Sequence, residues 1–147
     1  MNISNFKNPF FIGVAGVGMS AIAQYLQGIG MQVSGSDRYF HEGEYNKTKE
    51  QLENEGIKCF LQDGSGITAE TDLVVVSTAI EDTVYEVKKA KELGIPIIKR
   101  SQLLAMIAKS KKTIAVAGTS GKSTTSAMLF QILLDAGLEP SIISGAG

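Results

Sequence analysis

Residues 9–37 read PFFIGVAGVGMSAIAQYLQGIGMQVSGSD, and this stretch decides the fold class. The apolar run Pro9 to Ala15 predicts a strand that is buried on both faces of a parallel sheet. Gly16 to Gly18 predict a turn, and apolar residues then recur at helical spacing from Ala21 to Ile29. Met31 to Gly35 predict a second strand, closed by Ser36 and Asp37. This order of elements is typical of the start of an open α/β sheet.

The glycine turn also predicts a nucleotide site. Residues 13–18 nearly match the dinucleotide fingerprint G-x-G-x-x-G, with Ala15 where the second glycine would stand. A helix N-terminus at this point favours a phosphate, and Asp37 lies where an acid usually binds ribose hydroxyls. The alternative is a tight turn whose glycines only permit close packing. Taken alone, the loop indicates NAD binding.

The rest of the chain continues to alternate strands and helices. We predict strands over Ile57–Leu61, Leu73–Val76 and Ile95–Ile98, and helices over Glu44–Glu55, Thr83–Leu93 (with Asp82 as N-cap) and Ser101–Ala108. The chain is therefore predicted to be an α/β protein, with a Rossmann-like parallel sheet, helices on both faces and right-handed crossovers.

Candidate ligand-binding residues follow two further predicted strands, at the carboxyl ends where open sheets bind their ligands. Ser77 and Thr78 end the fourth strand, and their hydroxyls either bind a ligand or end the strand for local reasons. Arg100 follows the fifth strand, and it either reaches a phosphate or is a surface charge. The single histidine, His41, is expected to be solvated in a charged loop.

Residues 112–125 read KTIAVAGTSGKSTT and predict a second phosphate site. A strand over Ile114–Ala117, a helix from about Lys122 to Ala136 and a last strand over Ser141–Ser144 surround the loop. The nucleotide-binding residues would be Gly118, Thr119, Ser120, Gly121, Lys122, Ser123 and Thr124. Lys122 supplies a positive charge for a terminal phosphate, and a hydroxyl after it can ligate Mg²⁺. The loop is a short form, because Val116 stands where a full Walker A loop has its first glycine.

Two phosphate loops about 100 residues apart predict two nucleotide-binding units. We place the boundary at a basic joint, with residues 1–110 as the first unit and residues 111–147 as the second. The second unit is the first βαβ element of a P-loop ATPase domain. It is too short to cover both faces of its own sheet, so we expect it to continue in a longer protein.

Composition excludes several classes of function. Fourteen Lys and Arg residues balance fifteen Asp and Glu residues, which leaves no basic footprint for nucleic acid. Cys59 is the single cysteine, so no intramolecular disulfide forms, and this fits a reducing cytoplasm. The stretch from Asn8 to Ser36 carries no charge, but glycines interrupt it too often for a membrane segment.

Five blocks in this order resemble the Mur ligases of peptidoglycan synthesis: GVAGVGMSAIA, VSGSD, VVVSTAI, IIKRSQLLA and IAVAGTSGKSTT. The resemblance covers essentially the whole chain. It implies that the first domain binds the UDP of UDP-N-acetylmuramate rather than NAD. It also implies that the second loop binds ATP with Mg²⁺ in a central ATPase domain, and that a third domain binds the incoming amino acid.

The resemblance also assigns roles to individual residues. The residues implied to hold the UDP diphosphate are Gly16, Val17, Gly18 and Met19, and those implied to lie near uridine are Ser36, Asp37, Ser77, Thr78 and Ala79, with Ile80. Lys122 is the implied catalytic residue, which binds ATP phosphates, and Ser123 is the implied Mg²⁺ ligand.

The implied reaction is amide formation driven by ATP through an acyl phosphate, and the most similar branch of the family adds L-alanine to UDP-N-acetylmuramate. Three departures leave a paralogous branch open, such as a murein-peptide-recycling ligase: Ser120 stands where the L-alanine branch has histidine, Ala15 replaces a glycine, and residues 38–45 (RYFHEGEY) are unusual. Alternatives of other classes are an NAD-dependent dehydrogenase domain and a non-catalytic nucleotide sensor. Residues 1–147 alone are expected not to catalyse.

Overall fold

The computed structural model describes residues 1–78 and 81–144. The strands are β1 (Pro9–Ile12), β2 (Ser34–Asp37), β3 (Lys58–Leu61), β4 (Leu73–Val76) and β5 (Ile97–Lys99). The helices are α1 (Val17–Gly28), α2 (Lys47–Asn54), α3 (Tyr85–Glu92), α4 (Arg100–Ser110) and α5 (Lys122–Asp135), and a short 3₁₀ turn spans Ile3–Asn5. None of the helices in these residues has the length and apolar character needed to cross a membrane.

The five strands form one parallel sheet in the order β3-β2-β1-β4-β5. The chain winds outward from β1 to one edge and then returns to the other side of β1. The switch point therefore lies between β1 and β4, and ligands of open α/β sheets bind outside the carboxyl ends of the strands at this point. The loops that follow these two strands begin at Gly13 and at Ser77.

Helices cover both faces of the sheet, which confirms the predicted fold class. On one face Phe11 and Val75 pack in a cluster with Leu26 of α1, Leu52 of α2 and Leu103 of α4. A smaller cluster on the other face joins sheet residues to α3 and consists of Phe10, Ile12, Ile67, Val74, Val87 and Ala90. Neighbouring residues of one strand point to opposite faces of the sheet, so the almost continuous apolar runs of β1 and β4 supply side chains to both clusters.

The first two strands differ from the predictions, because of a backbone turn in one case and hydrogen bonds at the end of α1 in the other. β1 ends at Ile12 rather than Ala15, because Gly13 adopts a φ of 83° and turns the chain. β2 begins at Ser34 rather than Met31 and includes both Ser36 and Asp37. Met31 and Val33 instead close the end of α1: the Met31 amide donates to the Leu26 carbonyl at 3.1 Å, and the Val33 amide donates to the side chain of Gln27 at 2.9 Å.

The elements around α3 are also shorter than predicted. Val84 is the N-cap of α3, and the predicted cap, Asp82, forms a surface ion pair with Lys91 at 3.4 Å. β5 begins two residues later than predicted, since the Ile95 amide still donates to Ala90 at the end of α3. The apolar pattern placed α3 and β5, but local hydrogen bonds set where they begin and end.

Around the second phosphate loop the helix forms as predicted and the two strands do not. α5 begins after Gly121, and residues 114–117 and 141–144 have no strand assignment. A strand needs a neighbour for its backbone groups, and no partner strand for these residues lies within the described ranges. No residue of α5 is buried, and Met128 and Ile132 remain about three-fifths exposed.

We predict that Gly35→Ala lowers the free energy of unfolding by about 1–3 kcal/mol, because added volume in a close-packed site forces the backbone apart. Gly35 lies in β2, and a Cβ there would stand 2.7 Å from both the Phe11 carbonyl oxygen and the Val14 Cβ. Urea unfolding measures the change. Gly28→Ala is the matched control, since a Cβ there meets nothing within 4 Å. Equal effects of the two substitutions would contradict the packing argument.

Candidate functional site

The glycine loop presents two free backbone amides at the start of α1. Gly16 is the N-cap of this helix and has no side chain to accept from the first turn. The amides of Met19 and Ser20 donate to the Gly16 carbonyl, at 3.0 and 2.7 Å. Within the described residues, no protein group accepts from the amides of Val17 and Gly18. Free amides at the positive end of a helix dipole form an anion site.

Arg100 lies directly over this helix start. A Cβ built on Gly18 would collide with the Nη1 atom of Arg100, so the glycine lets the guanidinium lie against the helix start, and a side chain there would displace it. Arg100 is the first residue of α4, and it has no hydrogen bond or acidic partner in residues 1–78 and 81–144. An unpaired guanidinium beside free helix amides suits a phosphate or diphosphate group.

Asp37 connects the glycine loop to the loop that follows β2. Its carboxylate is almost completely buried, with 4% of the residue exposed. One oxygen accepts from the Ala15 amide at 2.9 Å, and the other accepts from the Tyr39 amide at 3.0 Å. Both oxygens therefore bind backbone amides of the two loops, rather than the ribose hydroxyls that the sequence predicted for this residue.

Ser36 shapes the site through its backbone. Its carbonyl oxygen accepts from the amides of Gly13 and Val14, at 2.8 and 3.0 Å. The residue is fully buried, and its hydroxyl has no hydrogen-bond partner among the described residues. The side chain therefore offers no exposed surface to a ligand.

An open cavity of about 370 Å³ lies beyond the carboxyl ends of β2 and β3. Its lining includes Asp37, Arg38, His41, Gln62 and Asp63. The Ser65 hydroxyl and the Ser65 amide donate to Asp63 and hold the pKa of this carboxyl below its usual value. The exposed Asp63 carboxylate favours hydrogen-bond donors such as sugar hydroxyls or a base imide, and it repels phosphate.

Ser77 and Thr78 follow β4 at the same edge of the sheet, next to the loop after β1. Ser77 is half-buried and Thr78 is exposed, and no hydrogen bond within the described ranges engages either side chain. Ala79 and Ile80, which the sequence also placed near uridine, lie outside the described residues. The four residues expected to bind the diphosphate, Gly16 to Met19, thus lie at the switch point together with Ser77 and Thr78.

The second loop is exposed and separate from this site. Gly121 has a φ of 74° and caps α5 without a side-chain bond. The Lys122 ammonium donates to the Gly118 carbonyl at 2.6 Å, so the side chain folds back over its own loop. The hydroxyls of Ser123 and Ser144 lie 3.3 Å apart. No group of three or more His, Cys, Asp or Glu residues in the described part of the chain could hold a metal ion.

The sequence did not single out the contact between Arg100 and Gly18, nor the contribution of Gln62 and Asp63 to the cavity. The contact joins residues 82 positions apart, and only the folded sheet brings α1 and α4 together. The one available signal was a basic residue directly after a predicted strand, and it indicated a surface charge equally well. Gln62 and Asp63 gave a similar signal, because they follow the third predicted strand at the edge where ligands bind.

Comparisons with known proteins place this site in a family context. The family profile described as "Mur ligase family, catalytic domain" matches residues 10–112. The UDP-N-acetylmuramate–L-alanine ligase of Dichelobacter nodosus is 40% identical over 139 residues, which are 95% of this chain and 28% of the relative. That of Aquifex aeolicus is 41% identical over 139 residues, covering 95% of this chain and 30% of the relative.

Solved structures agree with these relatives. The UDP-N-acetylmuramate–alanine ligase of Thermotoga maritima matches with a TM-score of 0.80 and 29% identity, covering 95% of this chain and 32% of its own. The murein peptide ligase of Psychrobacter arcticus matches with a TM-score of 0.76 and 30% identity, covering 89% and 27%. The chain spans less than a third of the length of these relatives.

We expect Asp37→Asn to lower the free energy of unfolding by about 1–3 kcal/mol, because a buried donor loses its acceptor. The amide has a single oxygen, so either the Ala15 or the Tyr39 amide would face an NH₂ group instead. Chemical denaturation checks the change. Glu42→Gln is the control, since Glu42 is exposed, lines the same cavity and has no side-chain hydrogen bond or ion pair within the described residues. A loss for Asp37→Asn no larger than that for the control would show that these bonds do not hold the loops.

Proposed function

Because the chain belongs to the Mur ligase family, we propose that it forms the UDP-sugar-binding domain and the start of the ATP-binding domain of a peptidoglycan ligase. The whole enzyme would join L-alanine to UDP-N-acetylmuramate in the cytoplasm. The lactyl carboxylate of the sugar accepts the terminal phosphoryl group of ATP, and the amine then displaces phosphate to form the amide.

One observation carries the proposal for the first domain. The free amides of Val17 and Gly18 lie beneath the Arg100 guanidinium at the switch point, beside a cavity lined by carboxylates. The diphosphate would lie on the helix start, with Gly16 and Met19 in the same turn. Uridine would lie toward the cavity and toward Ser77, Thr78 and Ala79, and Ser36 and Asp37 would shape its surroundings.

The hydrogen bonds of Asp37 favour UDP over NAD. In dinucleotide-binding sheets the acid at the end of the second strand binds ribose hydroxyls. Here both carboxylate oxygens accept backbone amides, and the residue is nearly inaccessible. The relatives named above are ligases of UDP-sugars and murein peptides, which gives no support to a dehydrogenase or a sensor.

The second domain would begin at residue 111, directly after α4 ends at Ser110. The loop fits ATP with Mg²⁺, because it exposes an ammonium and a hydroxyl at the start of a helix with unpaired amides. Lys122 would move from the Gly118 carbonyl to the phosphates, and Ser123 would ligate Mg²⁺. The ion would supply positive charge that neutralises the phosphates, while the loop residues 118–124 orient them.

A murein-peptide ligase is the second candidate. The match to the Psychrobacter arcticus enzyme and the serine at position 120 favour it. Both candidates use the same UDP-sugar site and differ in the amine that they accept.

We predict that this chain binds UDP more tightly than NAD, and that Arg100→Met weakens UDP binding about ten- to a hundredfold through the loss of charged hydrogen bonds. Isothermal titration calorimetry measures the Kd of each ligand. Lys109→Met, in the last turn of the same helix, is the control and should leave the affinity unchanged. Tighter binding of NAD would refute the proposed ligand, and an Arg100→Met variant with normal affinity would remove Arg100 from the site.

In the whole enzyme, Lys122→Met should lower turnover by about a hundred- to a thousandfold, because it removes a charge that stabilises the transferred phosphoryl group. Affinity for the UDP-sugar should stay the same, since the two loops would serve different ligands. A coupled assay of phosphate release and a separate binding titration test these statements, with Lys112→Met as the control. Turnover within a few-fold of normal would mean that the loop is an ordinary turn.

A further inference from the structure

The connection between β3 and β4 forms one wall of the cavity. Gln62 and Asp63 line the cavity, and Ser65 folds back to donate two hydrogen bonds to Asp63. Gly64 has a φ of 85°, a conformation that other residues rarely adopt. The position of this wall therefore depends on what holds Gly64.

Two side chains of α3 hold the backbone of Gly64 on both sides. The Oε1 atom of Glu86 accepts from the Gly64 amide at 3.3 Å. The ammonium of Lys89, one helical turn later, donates to the Gly64 carbonyl at 2.8 Å. A Cβ on Gly64 would lie 3.6 Å from the Cβ of Tyr85, which shows how closely the helix approaches the loop.

Glu86 is an unfavourable residue for stability alone. It has no exposed surface, and its second oxygen, Oε2, has no hydrogen-bond partner within the described ranges. No cation in these ranges forms an ion pair with it. A buried carboxylate oxygen without a hydrogen-bond partner costs free energy that an apolar side chain of similar volume would avoid. Glu86 therefore requires a reason other than global stability.

We propose that Glu86 and Lys89 are positioning residues that fix Gly64, and through it Gln62 and Asp63, against the uridine end of the ligand. The proposal rests on the proposed function, because uridine is the group placed in this cavity. Neither side chain touches the ligand. They keep the wall in its binding position before the ligand arrives, so no conformational entropy of this loop is lost on binding.

The test compares the unsubstituted chain with Glu86→Leu, Glu86→Gln and Lys89→Met. Lys88→Met is the matched control, because Lys88 is exposed on the same helix and its side chain has no hydrogen bond or ion pair in the described part of the chain. Three quantities are measured for each protein: the thermal midpoint, the hydrogen exchange of the Gly64 and Ser65 amides without ligand, and the Kd for UDP.

For Glu86→Leu we expect only a small change in the thermal midpoint, because the loss of the unpartnered Oε2 offsets the loss of the acceptor for the Gly64 amide. We also expect faster exchange at Gly64 and a Kd for UDP raised about fivefold or more, the equivalent of one hydrogen bond. Glu86→Gln keeps an acceptor for the Gly64 amide and should retain the exchange rate and the Kd. Lys89→Met should raise both the exchange rate and the Kd, and Lys88→Met should change neither.

Unchanged exchange at Gly64 in Glu86→Leu would overturn the proposal, and so would faster exchange with an unchanged Kd. If Glu86→Leu does not fold, Lys89→Met is compared with Lys88→Met instead, and unchanged exchange or an unchanged Kd in Lys89→Met overturns the proposal. If the unsubstituted chain does not bind UDP at all, the proposed function fails, and the exchange of Gly64 still shows whether α3 holds the loop.

Discussion

The end of β2 holds the glycine loop by three hydrogen bonds, and the rest of the site depends on them. The Ser36 carbonyl accepts from the amides of Gly13 and Val14, and the Asp37 carboxylate accepts from the amide of Ala15. These bonds satisfy the loop's own donors with protein groups. Among the described residues, the first donors left without a protein acceptor are therefore those of Val17 and Gly18, at the start of α1.

The same constraint explains why small residues recur around the site. The bonds to Ser36 draw the loop against β2, so Gly35 has no room for a side chain. In the first turn of α1, Gly18 leaves the space that the Arg100 guanidinium occupies. The glycines thus serve close approach, first of one backbone to another and then of a cation to a helix. The Arg100 guanidinium next to the unpaired amides of Val17 and Gly18 makes the start of α1 positive, while the carboxylates that line the cavity keep the cavity negative.

The fold class was predictable from the sequence because each strand and helix has its own apolar pattern, and the parallel sheet with helices on both faces is confirmed. The ends of elements were not predictable to the residue. Met31 to Val33 have the composition of a strand, yet the amides of Met31 and Val33 donate to Leu26 and Gln27 at the end of α1. The strand predicted over Ile114–Ala117 does not form, because a strand depends on neighbours that the local pattern does not contain. The roles of the individual site residues stay predictions, since the glycine pattern indicates a phosphate and cannot say which nucleotide carries it.

The central claim is that the start of α1 holds a diphosphate. The most direct measurement is a titration of the ¹⁵N-labelled chain with UDP, followed by the amide chemical shifts of every residue. The account predicts the largest changes at the amides of Val17 and Gly18, with smaller changes in the loops after β2 and β3 and none at Gly121 to Thr124. Changes confined to the second loop, or none at the start of α1 at saturating UDP, would contradict it.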